Sequence, residues 1–154
     1  MYIGIDTSTR SVCLGVLDRI GDKLIVEWYW QGLEGGCLFD KMDEAYKYTK
    51  VWIEDNIESS DEVAVGIEEP VYIQNGKTHM MLSCIYGSVV KAFMDSNIYP
   101  KSVNISVWKK SVTGKGNAKK EAVRKRIVEL CLIPDDLEQD VYDALGVSAY
   151  MYKG

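Results

Sequence analysis

Residues 2–9 read Tyr-Ile-Gly-Ile-Asp-Thr-Ser-Thr, an apolar run that turns polar at a single carboxylate, Asp6. Residues 11–17, Ser-Val-Cys-Leu-Gly-Val-Leu, form a second apolar run, and the link of residues 7–10 has the length of a tight hairpin connection. We therefore predict two antiparallel strands at the start of the fold. A buried central strand is apolar on both faces, so Asp6 needs an explanation of its own.

Asp6 can be accounted for in two ways. A buried carboxylate is costly unless it is paired, protonated or bound to a metal ion. Asp6 either caps the hairpin, by accepting hydrogen bonds from the amides of Ser8 or Thr9, or it is a metal ligand on which other acids converge. The second role gains weight if further acids occupy comparable positions along the chain.

The composition indicates one ordered globular domain. The chain has 154 residues, of which 47% are hydrophobic; this is enough for a full core, and we predict a single domain over residues 1–154. No apolar run is long enough to cross a membrane, and no basic start followed by an apolar stretch indicates a secretory signal. The cysteines show no Cys-x-x-Cys spacing, which fits reduced thiols in a cytoplasm. They are Cys13, Cys37, Cys84 and Cys131.

The hydrophobic periodicity predicts an α/β fold in the order β-β-β-α-β-α-β-α-α. Beyond the first hairpin we predict strands over Lys23–Trp30, Val63–Ile67 and Val103–Val107. A glycine- and lysine-containing loop is predicted over Trp108–Asn117, and helices over Leu38–Ile57, Thr78–Asn97, Asn117 or Ala118 to Leu132, and Gln139–Lys153. This order indicates one mixed five-stranded sheet with its first three strands antiparallel and helices on both faces.

Further acids do occupy positions where the pattern calls for apolar residues. Glu68 and Glu69 end the strand that precedes Pro70, and Asp140 and Asp143 lie three residues apart near the start of the last helix, on one side of it. Asp140 taken alone is also explained as an N-terminal helix acid that the helix dipole favours. Adjacent strand residues point to opposite faces, so only one of Glu68 and Glu69 can join Asp6.

The chemistry of this acid set favours divalent cations. Several carboxylate oxygens without a cluster of imidazoles or thiolates suit Mg²⁺ or Mn²⁺, and the chain has a single histidine. Two such ions about 4 Å apart support in-line attack on a phosphodiester. The sequence therefore indicates metal-dependent phosphodiester hydrolysis.

A basic segment supplies the charge that a nucleic acid requires. Residues 109–126 carry a net charge of +7 in a chain whose net charge is -5, which leaves -12 for the rest. Such a concentrated patch indicates a surface directed at a polyanion. The alternative is an ordinary solvated helix face. Trp108, which precedes the basic loop, either stacks on DNA or packs beneath the loop, and the sequence favours packing.

Four motifs in chain order resemble the RuvC family of Holliday junction resolvases, and the short length is similar to its compact phage-type members. They are Ile-Gly-Ile-Asp at 3–6, Gly-Ile-Glu at 66–68, Trp-Lys-Lys-Ser-Val-Thr-Gly at 108–114 followed by Gly-Asn-Ala-Lys-Lys at 116–120, and Gln-Asp-Val-Tyr-Asp-Ala-Leu at 139–145. The resemblance implies a ribonuclease H-like fold, a homodimer, Mg²⁺ or Mn²⁺, and symmetrical nicking of a four-way DNA junction. It also implies the cytoplasm of a bacterial or phage-infected cell.

The resemblance also implies roles for particular residues. The metal ligands would be Asp6, Glu68, Asp140 and Asp143, with Glu68 chosen over Glu69 by the motif. Lys109 or Lys110, and Lys119 or Lys120, would contact the scissile phosphate or its neighbours, and we name Lys119 with the four acids as catalytic. The DNA-binding set would be Lys109, Lys110, Lys115, Lys119, Lys120 and Arg124.

Two features of the family pattern are less direct here. Bacterial members carry an aromatic residue just past the glutamate that wedges into the junction; Val71 occupies that position here, with Tyr72 one residue on. The helix predicted over Thr78–Asn97, rich in methionine and small residues, is the candidate dimer face, and an ordinary core helix is its alternative.

Three rival functions remain. Residues 3–9 are also similar to the first phosphate loop of actin-like and sugar-kinase ATPases, but the chain is too short for their two lobes and lacks the second phosphate loop. Another ribonuclease H-like nuclease would act on branched DNA or on an RNA/DNA hybrid. A non-catalytic DNA-binding module would have lost its metals, which the four intact acids argue against.

Overall fold

The computed structural model describes residues 1–59 and 61–153. Within them the strands are β1 Tyr2–Thr7, β2 Ser11–Ile20, β3 Lys23–Gly32, β4 Ala64–Glu68 and β5 Lys101–Val103. The helices are α1 Leu38–Asn56, α2 Gly76–Met94, α3 Ile105–Thr113, α4 Lys120–Cys131 and α5 Gln139–Lys153. In this part of the chain no helix has both the length and the apolar character needed to span a bilayer.

The strands form one mixed five-stranded sheet, as predicted. Its order is β3-β2-β1-β4-β5. The pairs β1–β2 and β2–β3 are antiparallel, and the pairs β1–β4 and β4–β5 are parallel. This arrangement confirms the predicted α/β sheet with an antiparallel first half, and it puts the carboxyl ends of β1 and β4 side by side.

The two faces of the sheet are covered by different helices. On what we call the α1–α2 face, β1 contributes Ile3 and Ile5 to a core shared with buried residues of α1 and α2. On what we call the α5 face, α5 lies on β1 and β2, and α3 and α4 pack beside it. Successive strand residues alternate between the two faces, which explains why two separate apolar cores form.

A row of three glycines crosses the centre of the α5 face. Gly4 on β1 is paired with Gly15 on β2 and with Gly66 on β4. A Cβ on Gly4 would lie 2.1 Å from the Ala144 carbonyl oxygen, and one on Gly15 would lie 2.7 Å from the Leu145 backbone nitrogen. The backbone of α5 therefore rests directly on the sheet at Gly4 and Gly15, whereas Gly66 makes room for the Met151 and Val147 side chains of the same helix.

The prediction for residues 103–117, a strand over Val103–Val107 followed by a loop over Trp108–Asn117, was wrong. The fifth strand spans Lys101–Val103, and Ile105–Thr113 is the helix α3, which takes up the end of the predicted strand and the start of the predicted loop. The Asn104 side chain caps the helix by accepting a hydrogen bond from the Ser106 amide, and Gly114 ends it in the left-handed conformation at φ 82°. The alternating β-branched residues of this segment imitate strand periodicity.

Candidate active site

Strand ends and a helix start bring the four predicted acids together. Asp6 and Glu68 lie at the carboxyl ends of the parallel neighbours β1 and β4. Asp140 and Asp143 lie in the first two turns of α5, which packs on the same face of the sheet. The pKa of Asp6 is raised well above its usual value by burial and then by the charges of Glu68, Asp143 and Asp140. The four carboxylates therefore form one electrostatic cluster, which we call the acid cluster.

Three of the four acids have a hydrogen-bond donor from another residue. The Ser11 hydroxyl donates to Asp140 Oδ2 at 2.5 Å, and the Trp108 indole Nε1–H donates to Glu68 Oε2 at 2.6 Å. The side-chain Nε2 of Gln139, the first residue of α5, donates to Asp143 Oδ1 at 3.1 Å. These neutral donors fix carboxylate orientations without neutralising the charge of the acid cluster.

Three carboxyl groups of the acid cluster, those of Asp6, Glu68 and Asp143, have raised pKa values. Burial raises the pKa of Glu68 to about 7, the charge of Asp143 adds to the rise, and the Trp108 hydrogen bond and Lys109 oppose it. Burial likewise raises the pKa of Asp143, against the opposing effects of Gln139, Lys109 and Lys120. Like charges that are packed together favour protonation or cation binding, so this site is poised to take up positive charge.

The donor chemistry of the acid cluster fits hard divalent cations. All four side chains offer carboxylate oxygens, the donors that Mg²⁺ and Mn²⁺ prefer. In residues 1–59 and 61–153, however, no group of three or more His, Cys, Asp or Glu side chains is already arranged around one point as a ligand set. Binding a cation would therefore require these carboxylates to close in on one point.

Glu69 points away from the acid cluster, and the first hairpin is capped by a residue other than Asp6. Glu69 accepts hydrogen bonds from Ser102 Oγ at 3.1 Å and Asn104 Nδ2 at 3.2 Å, and it is thus turned toward the β5 side instead of the acid cluster. At the hairpin, Ser8 Oγ accepts hydrogen bonds from the Ser11 and Arg10 amides. The capping role considered for Asp6 is therefore filled by Ser8.

Two lysines of the basic segment lie within electrostatic reach of the acid cluster. Lys109 on α3 lowers the pKa of Glu68 and Asp143, and Lys120 at the start of α4 lowers that of Asp6 and Asp143. Lys119 precedes α4 as its N-cap residue and lines an open groove with Lys115. Their proximity makes Lys109 and Lys120 the lysines best placed to meet an anion held at the site.

The two remaining members of the predicted DNA-binding set differ in their surroundings. Lys110, on α3, is exposed. The Arg124 guanidinium lies 3.7 Å from Asp135 and 5.8 Å from the centroid of the Tyr142 ring. Arg124 is thus partly occupied by contacts within the protein, whereas Lys110 is free to reach outward.

Sequence reasoning missed the residues that support the acids. The sequence pattern places Ser11 only in a strand and Gln139 only at the start of a helix. The glycine row left a visible signal, since β1, β2 and β4 each carry one glycine inside an apolar run, a pattern that marks close approach of another backbone. The expectation that Trp108 packs beneath the basic segment is confirmed, since its side chain is fully buried.

Comparison with known proteins decides the family. The family model described as crossover junction endodeoxyribonuclease RuvC matches residues 2–150. This chain belongs to the RuvC family. The match confirms the family resemblance of the four motifs and, with it, the class of crossover junction endodeoxyribonucleases.

Individual relatives agree over nearly their whole length. A RuvC crossover junction endodeoxyribonuclease of Geobacter sulfurreducens is 23% identical over 150 residues, which cover 95% of this chain and 88% of that protein. One from Psychromonas ingrahamii is 25% identical over 151 residues, which cover 96% of this chain and 84% of that protein. The match is thus to whole RuvC proteins instead of to one isolated motif.

Solved structures confirm the ribonuclease H-like fold. T. thermophilus RuvC in complex with a Holliday junction substrate superposes with a TM-score of 0.80 at 17% identity, covering 98% of this chain and 93% of that one. A fowlpox virus resolvase in complex with Holliday junction DNA gives a TM-score of 0.55 at 11% identity and covers the full length of both chains. At these identities the likeness establishes the fold alone.

Proposed function

We propose that this chain resolves four-way (Holliday) junctions by paired symmetrical nicks, through metal-dependent hydrolysis of a phosphodiester bond. One observation carries the proposal: in a chain of the RuvC family, Asp6, Glu68, Asp140 and Asp143 form one cluster with Lys109 and Lys120 beside it. The carboxylates of the cluster can bind divalent cations, and the neighbouring ammonium groups can bind an anion. A phosphodiester with bound divalent cations would pair with both sets of groups.

Asp6, Glu68, Asp140 and Asp143 are the proposed cation ligands. The RuvC family is one of metal-dependent nucleases, and we propose Mg²⁺ as the cation, with Mn²⁺ able to substitute. When bound, the cations supply Lewis acidity that activates a water molecule and stabilises the leaving oxygen. Ser11, Trp108 and Gln139 hold three of the four carboxylates in place.

The basic segment is the proposed DNA-contacting surface. The charges of Lys109 and Lys120 lower the pKa values of acids in the cluster. We therefore assign these two lysines to the scissile phosphate and its neighbours. Lys119, proposed from the sequence as catalytic, stays a candidate together with them. Phosphates farther along the DNA arms would be bound by Lys110, Lys115, Lys119 and Arg124.

Tyr72 is the proposed aromatic residue that enters the junction. It follows β4 and Glu68 by four positions, and its side chain is 80% exposed, whereas Val71 is 46% exposed. The Tyr72 ring lies 5.5 Å from the His79 ring at the start of α2, which supports it from one side. An exposed, supported aromatic ring can stack on an unpaired base.

The substrate symmetry calls for a homodimer. A four-way junction has near two-fold symmetry, so two identical active sites would nick opposite strands. We propose α2 as part of the dimer face because Met80 and Met94 are exposed on it and Ser83 and Gly87 leave its surface open. We further assign residues 1–154 to a single nuclease domain that acts in the cytoplasm, where the DNA of a bacterial or phage-infected cell lies.

Cleavage of branched DNA tests the proposed function directly. Purified protein is mixed with end-labelled four-way, three-way and linear duplex DNA in Mg²⁺ and then in EDTA, and nicks are mapped on every strand. We expect paired symmetrical nicks on the four-way junction that disappear in EDTA. Equal cutting of all three substrates would instead indicate a ribonuclease H-like nuclease with another role, and a lack of cutting in Mg²⁺ and Mn²⁺ would indicate a binding module.

Single substitutions then test the acid cluster. Asp6→Asn, Glu68→Gln, Asp140→Asn and Asp143→Asn should each abolish cutting while junction binding is retained, because only the cation ligands are altered. Asp55→Asn, at an exposed acid of α1, is the matched control and should cut like the unaltered protein. Near-full cutting by one of the four variants would remove that residue from the ligand set.

A further inference from the structure

Trp108 is buried in the α5-face core, yet its polar end reaches the active site. The side chain is fully buried, among residues that include Val141, Tyr142 and Leu145 of α5. Gly146 makes room for the ring, since a Cβ there would lie 2.4 Å from Trp108 Cζ3. A buried indole ordinarily needs only some acceptor for its N–H group; here that acceptor is a carboxylate of the acid cluster.

The hydrogen bond to Glu68 has a defined direction. Trp108 Nε1–H lies 2.6 Å from Glu68 Oε2, and an indole can only donate. Oε2 is consequently held as an acceptor, and any proton on the Glu68 side chain is directed to the other oxygen. The main chain is paired on past the end of β4, where the Glu69 N–H donates to the Val103 carbonyl oxygen at 3.0 Å, but this pairing fixes the backbone and leaves the orientation of the Glu68 carboxylate to the indole.

The same indole ring also contacts the side chain of a neighbouring lysine. Lys109 Nζ lies 5.5 Å from the centroid of the Trp108 ring, within the range of a cation–π interaction. Lys109 is also one of the two lysines that act on the acid cluster. Trp108 is therefore in contact with one proposed cation ligand and with one proposed phosphate contact.

We propose that Trp108 is a positioning residue of this nuclease: its indole N–H holds the Glu68 carboxylate ready for the cation, and its ring holds Lys109 beside the site. The inference rests on the proposed function. Hydrogen bonds of this kind to a ligand carboxylate typically change metal affinity about 10- to 100-fold. The remaining contacts of α3, including its Asn104 cap and the buried Val112, keep the helix in place without the indole nitrogen.

The variant Trp108→Phe removes the N–H group and keeps an aromatic ring. We expect its Mn²⁺ affinity, measured by electron paramagnetic resonance on the free protein, to fall about 10-fold. The kcat for junction cleavage should fall by a similar factor at fixed Mg²⁺, whereas the KM for the junction should stay within about twofold because the DNA-binding lysines are intact.

Trp52→Phe is the matched control. Trp52 lies on α1, is 5% exposed, and its Nε1 is buried without a hydrogen-bond partner among the described residues. Its replacement removes the same N–H group from the opposite face and should leave Mn²⁺ affinity and cleavage unchanged. Unchanged Mn²⁺ affinity and kcat in Trp108→Phe would overturn the proposal, and so would equal losses in both variants, since these would reflect lost packing alone.

If Trp108→Phe does not fold, nuclear magnetic resonance of the unaltered chain tests the hydrogen bond between Trp108 and Glu68 instead. The Trp108 indole proton should resonate downfield of the other three, shift when Mg²⁺ is added, and lose its downfield position in Glu68→Gln. An indole spectrum insensitive to both changes would overturn the inference. Failure of the proposed function is seen separately, as a lack of junction cleavage by the unaltered protein.

Discussion

The two faces of the sheet are built on different principles. On the α1–α2 face, branched strand residues such as Ile3 and Ile5 interlock with helix residues such as Val89 and Phe93, and nearly all the contact is apolar. On the α5 face, the glycine row lets the backbone of α5 rest on the strands themselves. The first face obtains stability from the burial of large side chains, and the second obtains positional accuracy from close backbone contact.

The acid cluster depends on this accuracy. Two of its acids belong to strands and two belong to α5, so a small shift of α5 would separate Asp140 and Asp143 from Asp6 and Glu68. Side-chain packing tolerates such shifts because rotamers readjust, whereas a backbone seated on glycines has little freedom to move. We infer that burial of apolar side chains on the α1–α2 face offsets the cost of gathering the acid cluster on the α5 face.

The largest expected effect comes from filling the glycine row. Gly4→Ala would put a Cβ 2.1 Å from the Ala144 carbonyl oxygen, so α5 must move away from the sheet. We expect the free energy of unfolding, measured in urea, to fall by more than about 3 kcal/mol, with loss of cleavage even where the protein still folds.

Gly87→Ala on the other face is the control for that variant. Gly87 lies in α2, and a Cβ there meets no atom within 4 Å. Alanine at an exposed helix position should raise the unfolding free energy by up to about 1 kcal/mol. Similar destabilisation by both substitutions would refute the distinction between the two faces.

The pH dependence of stability should have opposite signs on the two faces. In the metal-free protein, burial raises the pKa of Glu68 to about 7, and the pKa values of Asp6 and Asp143 are also raised. The folded state then holds protons that the unfolded state has released, so its stability falls as pH rises from the ordinary carboxyl range to about 7. Asp6→Asn should therefore stabilise the metal-free protein at pH 8 and flatten this slope.

Asp95, at the end of α2, provides the contrasting case. Hydrogen bonds from Lys91 and Tyr46 lower its pKa, so its contribution to stability is present above the unfolded pKa and is lost as pH falls through the folded one. Asp95→Asn should weaken the protein at neutral pH and leave the slope between pH 5 and 7 unchanged. Urea unfolding in EDTA across this pH range measures the free energy of unfolding of both variants. If Asp6→Asn and Asp95→Asn change this free energy in the same direction, the opposite pKa shifts assigned to the two groups are wrong.

Local sequence pattern predicted most of the fold and the acids of the site. The bounds of α5 agreed with the structure at both ends, because its apolar periodicity is long and uninterrupted. Asp6 and Glu68 stood out because a carboxylate at the end of an apolar strand is rare unless it binds a cation or a hydrogen-bond donor. Such signals lie within one element and do not depend on how the elements pack.

The hydrogen bonds that orient the acids join residues that meet only through packing, so the sequence could not predict them. Ser11 and Asp140 are separated by 129 positions, and Trp108 and Glu68 by 40, so neither pair is recognisable before the sheet order and helix positions are known. The helix α3 was missed for a different reason. Its short apolar face is completed by distant elements such as α5 and α4, while its β-branched residues imitate a strand.

The smallest expected effect on stability comes from removing one buried hydroxyl group from each face of the sheet. Ser148 on α5 is fully buried and donates to the Tyr2 carbonyl oxygen of β1 at 2.8 Å, so it joins the helix to the sheet. Thr49 on α1 is equally buried, but it donates to the Ala45 carbonyl oxygen within its own helix. Ser148→Ala should cost about 1 kcal/mol in urea unfolding, and Thr49→Val should cost less than about half of that. If Thr49→Val proves the more costly, hydroxyl contacts between helix and strand have no special importance on the α5 face, and the glycine row alone positions α5.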